Sequence, residues 1–334
     1  MRVAMLGPVA WRTPPLDYGP WERVTSLLTE GLVADGVEVT LFATLDSQTS
    51  AELDGVCPHG YGADESMEGR VWEALHVAHA LSRSAEFDLV HNQLDWLPLA
   101  FGGFCAAPMV TTIHGFSGPG ILPAYRRGRS AFVSISDADR SPDLDYLATV
   151  YHGIEFSDLP LGPGGEDLVV FGRIHADKGT ADAITIARAC GRRLLIAGPV
   201  HDRDYFESRV LPEVDDDTVV YLGSIGPADR ARVLGGAAAL LHPIGFAEPF
   251  GLAVVEAMAC GTPVVAFRKG SMPEVVDEGL TGFVVDDVES AVAAVARTAG
   301  LDRAAVGARA RERFGVDRMV AGYRAVYERL LEGR

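Results

Sequence analysis

Short apolar runs alternate with helical periodicity along almost the whole chain, and this alternation constrains the fold more than any other feature. In the first half, "RVAML", "VEVTLFA", "FDLVHN", "PMVTTIHG", "AFVSIS" and "LATVYHG" read as strands. In the second, "DLVVFGRI", "RRLLIAGPV", "TVVYLGS", "AALLHPIG", "TPVVAF" and "GFVVDD" do the same. Runs this continuously apolar mark strands covered on both faces, as parallel sheets require. Amphipathic stretches lie between them, such as "WERVTSLLTEGLVADG", closed by Gly36, and "KGTADAITIARACG". The Gly/Pro-rich "DLPLGPGGED" separates the two series and reads as a linker. The expectation is an α/β chain of two doubly wound, Rossmann-like domains, residues 1–154 and 155–316, facing an interdomain cleft. Right-handed crossovers gather the C-terminal ends of each sheet's strands on one edge, where ligands bind.

Length and charge narrow the function. A chain of 334 residues, 48% of them apolar, can bury two cores of ordinary size. The net charge of −17 argues against nucleic acid or an anionic membrane as main partner, since both attract basic surfaces. An anionic substrate would need a local positive pocket. Cys57, Cys105, Cys190 and Cys260 form no metal or redox spacing and fit reduced thiols of a cytoplasmic protein. "MRVAMLGPVAW" suits a first buried strand better than a signal peptide. No apolar run approaches the roughly 20 residues that cross a bilayer. The densest basic run, "YRRGR", is too short for a membrane anchor without an apolar face.

The stretch "PIGFAEPFGLAVVEAMACGTPVVAF" carries two glutamates, Glu248 and Glu256, inside an apolar run. The pattern makes "AALLHPI" a strand, "GFAEP" a turn and "FGLAVVEAMACG" a helix. Glu248 then sits on the loop. Phe250, Gly251 and Leu252 lie at the helix N-terminus, where unpaired N–H groups and a positive dipole end favour phosphate. Glu256 lies just over one turn into the helix. Carboxylates accept hydrogen bonds bidentately, which suits vicinal hydroxyls of a ribose or sugar. The alternative is a capping Glu248 and a solvated Glu256. Arg173 closes a strand and Lys178 opens a helix, which puts two cations at the same sheet edge.

The segment from Glu248 through "TGFVV" resembles the signature of the family 4 retaining glycosyltransferases of the GT-B fold, with Glu248 and Glu256 as its E-x7-E motif. "FGRIHADKG", "TIHGF", "VSISDADR" and "YHGIEF" resemble further elements of that family in the same order. The resemblance implies that Arg173 and Lys178 hold the donor's diphosphate, Glu256 the ribose and Glu248 the transferred sugar's hydroxyls. It places Ile225 near the base, where a plain core role is the alternative. It places His114 across the cleft, against the donor sugar. It implies front-face substitution with retained configuration, in which the departing phosphate oxygen accepts the acceptor's proton. No metal and no cofactor is implied, and no Asp-x-Asp site is visible. The donor would be a nucleotide sugar, with UDP as default base and GDP and dTDP open. The helix at 317–334, striped by Met319, Tyr323, Val326, Tyr327 and Leu330, would pack back on the first domain.

One departure concerns the first loop, "PPLDYGPWERV". The family carries two adjacent glycines there. Here Gly19 remains and Pro20 replaces the second, removing one backbone donor. Glu22 reads equally as a first-turn acid or an acceptor contact. In "VHNQLDW", His91, Asn92, Asp95 and Trp96 could hold an acceptor by hydrogen bonding and stacking, or serve as core and caps. A small soluble acceptor fits the acidic surface better than a lipid head group. Oligomeric state is not readable. A nucleotide-sugar epimerase or hydrolase on the same fold, and a scaffold with a retired site, are the competing readings. A nicotinamide enzyme is disfavoured, because "MLGPVAWR" lacks the G-x-G-x-x-G fingerprint.

Overall fold

A computed structural model describes residues 1–16, 19–115 and 118–332. Asp17 and Tyr18 of the first loop, Phe116 of "TIHGF" and the last two positions of the C-terminal segment lie outside the described residues. The chain divides into two units, Met1–Gly153 with Val316–Arg334, and Ile154–Gly315.

The first unit holds strands β1 (Arg2–Leu6), β2 (Glu38–Phe42), β3 (Glu52–Asp54), β4 (Leu89–Asn92), β5 (Met109–Ile113), β6 (Ala131–Ser134) and β7 (Tyr146–Thr149). They form one parallel sheet in the order β3-β2-β1-β4-β5-β6-β7. The helices are α1 (Pro20–Ala34), α2 (Gly69–Ser82), α3 (Leu97–Ala100) and α4 (Leu122–Arg127). In the second unit, strands β8 (Leu168–Phe171), β9 (Leu194–Ala197), β10 (Val219–Gly223), β11 (Ala239–His242), β12 (Val264–Phe267) and β13 (Gly282–Val285) pair in the order β10-β9-β8-β11-β12-β13, again parallel. Helices α5 (Thr180–Ala189), α6 (Arg203–Tyr205), α7 (Pro227–Gly236), α8 (Leu252–Ala259), α9 (Met272–Val275), α10 (Val288–Thr298) and α11 (Arg303–Phe314) belong to it. The last helix, α12 (Val316–Glu332), belongs to the first unit.

Both strand orders reverse direction once, between β1 and β4 and between β8 and β11. The loops leaving those strands diverge and open a crevice at the sheet's C-terminal edge. In the second unit these are the segments after Phe171 and after His242, which contain Arg173, Lys178 and Glu248. Strands such as β5 and β11 are buried along their whole length, as their unbroken apolar runs require. The strand β3 was not foreseen: "ELD" has no apolar run, and this edge strand pairs only with β2.

The helix α12 turns its stripe inward, with Met319, Tyr323, Val326 and Tyr327 buried and Leu330 half-buried. Two glycines permit that approach. A Cβ on Gly31 of α1 would lie 2.4 Å from Val320, and one on Gly322 would lie 2.9 Å from Val150. Among the described residues, no helix is long and apolar enough to cross a membrane.

Candidate active site

In the second unit, three loops converge at the switch point. The β8–α5 loop carries Arg173 and Lys178, the β11–α8 loop carries Glu248, and the β12–α9 loop supports the latter. The first two are clasped by the hydrogen bond from Gly245 N to Asp177 O at 2.7 Å. Gly179 is left-handed at φ +70, and a Cβ there would meet Pro243 O at 1.9 Å. Only glycine allows Lys178 to sit this close to the strand end that precedes Glu248.

Lys178 Nζ donates to Glu248 Oε2 at 2.5 Å, with both side chains largely buried. The same ammonium lies 4.8 Å from the Phe246 ring centroid. His242 Nε2 lies 3.5 Å from Glu248 Oε2. Burial raises the Glu248 pKa, but His242 and Lys178 outweigh it and hold the carboxyl down at about 2. Burial also pushes the His242 imidazole down, partly opposed by Glu248. Glu248 is therefore a carboxylate near neutral pH. Arg173 Nη2 donates to Asp177 at 2.7 Å. Both cations expected to meet a diphosphate are each held by a carboxylate of the chain.

Phe250, Gly251 and Leu252 open α8 as expected from their pattern. Gly251 is its N-cap at φ +91, and Phe250 is buried edge-on against Phe314. Glu256 is no solvated helix residue: it is buried, and Arg230 Nη1 of α7 donates to its Oε1 at 2.9 Å. Ile225 is half-buried two residues beyond β10, just before α7.

In the first unit, His114 follows β5 directly and is 5% exposed. Its Nε2 donates to Gln93 Oε1 at 2.6 Å, and its Nδ1 lies 3.4 Å from His152 Nε2. Trp21 stacks on the ring at 5.4 Å. Gln93 Nε2 in turn donates to His91 Nε2 at 3.0 Å, and His91 Nδ1 meets Tyr327 Oη of α12 at 2.7 Å. Burial drives both His91 and His114 down to about 3, so these imidazoles are neutral at physiological pH.

The acceptor candidates separate. His91 and Asn92 are fully buried. Asn92 Nδ2 donates to Asp95 O at 2.7 Å and its Oδ1 accepts from Leu94 N at 2.9 Å, closing a turn. Asp95, left-handed at φ +63, accepts from the Tyr125 hydroxyl, and burial raises its carboxyl to about 6. The contacts of these three are those of core and turn residues. Trp96 turns outward, 39% exposed.

Gly19 is the extended N-cap of α1, and a Cβ there would stand 3.0 Å from Glu22 Oε2. Glu22 is buried, and burial raises its carboxyl to about 7 against the backbone N–H groups of Glu22 and Trp11. Its folded pKa exceeds the ordinary 4.5, so between these values the folded chain keeps a proton that the unfolded chain releases. Stability attributable to Glu22 therefore falls as pH rises through that window, by about 3 kcal/mol in all. Glu22→Gln is expected to remove this decline. Chemical denaturation at pH 5 and 8 checks it: an unchanged difference between the two pH values would refute the assignment.

Gln93, His152, His242, Arg230 and Asp177 are site contacts that sequence reasoning missed. His242 ends β11, Gln93 and His152 stand beyond the ends of β4 and β7, Asp177 lies in the β8–α5 loop and Arg230 on α7, and only the folded contacts show their use. Among the described residues there is no cluster of three His, Cys, Asp or Glu side chains that could hold a metal ion.

Comparison with known proteins bears on family and fold. The model described as Glycosyltransferase Family 4 matches residues 21–141, and that described as Glycosyl transferases group 1 matches residues 165–300. A glycogen synthase of Mycobacterium tuberculosis is 27% identical over 376 aligned positions, covering 93% of this chain and 89% of its own. A D-inositol 3-phosphate glycosyltransferase of Pseudarthrobacter chlorophenolicus is also 27% identical, covering 81% of this chain and 79% of its own. Among solved structures, AviGT4, a glycosyltransferase involved in avilamycin A biosynthesis, superposes with a TM-score of 0.76 at 25% identity, covering 100% of this chain and 99% of the other. With both of its units matched and its two parallel sheets in place, the chain belongs to the family 4 glycosyltransferases and is an enzyme of the GT-B fold.

Proposed function

We propose that the chain transfers a sugar from a nucleotide-diphosphate sugar to an acceptor hydroxyl with retention of configuration. The observation that carries this reading is the Lys178–Glu248 pair at the switch point of the second unit, beside the N-terminus of α8. A diphosphate arriving there takes Lys178 and Arg173 from their carboxylates. Glu248, already ionised and backed by His242, is released to accept hydrogen bonds from the sugar's hydroxyls. Glu256, oriented by Arg230, accepts hydrogen bonds from the ribose hydroxyls. As the sugar–phosphate bond breaks, the two cations and the α8 dipole stabilise the charge building on the leaving group. The leaving phosphate oxygen takes the acceptor's proton, so no protein base is needed. His114 would orient the sugar as a neutral imidazole, through Nδ1, whose contact to His152 is the longer of its two.

The names of the relatives diverge on the acceptor, glycogen in one and D-inositol 3-phosphate in the other. The donor site is therefore the part to test first. Melting of the protein with UDP-, GDP- and dTDP-sugars should show stabilisation by one base class. With that donor and a hydroxyl acceptor panel, proton NMR should show the product's anomeric coupling unchanged from the donor's, with turnover persisting in EDTA. Inverted product would overturn the retaining reading. Activity lost in EDTA and restored by Mg²⁺ or Mn²⁺ would overturn the assignment of charge neutralisation to Lys178 and Arg173. Rapid conversion of the donor without acceptor would favour the epimerase or hydrolase reading.

A further inference from the structure

We propose that the α3–α4 edge of the first unit docks on an anionic lipid bilayer. Acids are frequent in this chain, 46 in 334 residues, yet between Trp96 and Ser136 there is none. That stretch carries three arginines, Arg126, Arg127 and Arg129, all exposed. Arg126 pairs with Asp143 at the border of the surface, 2.6 Å away. Arg127 and Arg129 have no ion-pair partner among the described residues.

An apolar component accompanies the charge. Phe104 is 80% exposed, and Phe101 and Trp96 are 39% exposed each. The fold brings them to the arginines: α3 packs on α4, and a Cβ on Gly128 would stand 2.9 Å from Leu99 Cβ. The backbone N of Arg129 is 3.7 Å from the Cβ position of Gly102, inside the Phe101–Phe104 turn. The run "YRRGR" alone had lacked an apolar face, and the neighbouring turn supplies it.

Aromatic rings beside cations suit a bilayer interface, where rings settle at headgroup depth and guanidinium groups meet lipid phosphates. Two weak signals together give reversible binding, where one does not. The net charge of −17 does not prevent this, because charges beyond about 8 Å are screened at physiological ionic strength. Self-association through a two-fold axis fits less well. It would set Arg127 and Arg129 against their own copies, with Asp143 already paired to Arg126.

Flotation of the full chain with phosphatidylcholine vesicles, with and without phosphatidylglycerol, tests the proposal without reference to sugar transfer. Partition is expected only onto the anionic vesicles, weakening as salt rises. Phe104→Ser should lower the partition coefficient about tenfold. The double change Arg127→Gln with Arg129→Gln should lower it roughly 25-fold, about fivefold per arginine. Melting temperatures should not move, because all three side chains are exposed. Absence of binding to anionic vesicles, or variants that bind as the parent does, would overturn the proposal. So would a dimer in sedimentation that Phe104→Ser dissolves, or soluble polyaspartate bound as tightly as the vesicles.

Discussion

Replacing Lys178 by methionine is expected to lower kcat/KM for the donor by roughly 10²–10³-fold, the usual loss when one preorganised donor to developing charge is removed. The effect should fall on kcat as well as KM, because negative charge on the diphosphate grows as the bond to the sugar breaks. Stability should fall as well. Glu248 is held at about 2 by Lys178 and His242 together, and without the ammonium a largely buried carboxylate loses its nearest cation. Breaking such a pair costs roughly 3–5 kcal/mol at most, and His242 offsets part of that. The two effects separate in a double variant. Lys178→Met with Glu248→Gln removes the stranded charge, so melting should return toward the parent value while turnover stays lost. A single variant with parental turnover would remove Lys178 from the reaction. A double variant no more stable than the single would show that the stranded carboxylate was not the cause of instability.

The sheet architecture was legible because unbroken apolar runs admit few alternatives. Every strand read from such a run is present, and β3, which has none, was missed. Glu248 and the α8 start were legible for a related reason. A polar residue between strand and helix signals can only lie at the sheet edge, and "HPIGFAEPFG" marks that edge with glycine and proline. The partners of these residues were not legible. Arg230 sits on a helix otherwise typical of a surface, and His242 ends an apolar strand. Nothing local says that one meets Glu256 and the other Glu248. The same holds for "VHNQLDW", where alternation along β4 leaves open which side chains face inward. His91, Asn92 and Gln93 all proved buried because the strand is covered on both faces. Gln93 thereby became the residue that fixes His114, while Trp96 was left outside.

Gly270→Ala is expected to slow turnover by roughly 10²-fold in a protein that still folds. Gly270 lies between β12 and α9 at φ +52, and a Cβ there would stand 2.3 Å from both the N and O atoms of Glu248. The next residue clasps the same loop: Ser271 N donates to Glu248 O at 2.9 Å, and Ser271 Oγ to Phe250 O at 2.9 Å. An added methyl cannot be relieved by a side-chain rotation, since backbone stands on the other side. The β11–α8 loop must move, and with it the Glu248 carboxylate and the entry to α8. A displacement near 1 Å at a positioned group costs on the order of 10²-fold in rate. The stability loss combines left-handed strain for a residue with a Cβ and overpacking, together roughly 2–5 kcal/mol. Gly279 supplies the comparison. It is equally left-handed at φ +74, with nothing within 4 Å of its Cβ position, so Gly279→Ala should cost only the strain, about 1–2 kcal/mol, with turnover at the parental level. Equal rates for the two variants would mean that the Glu248 loop does not set the reaction geometry.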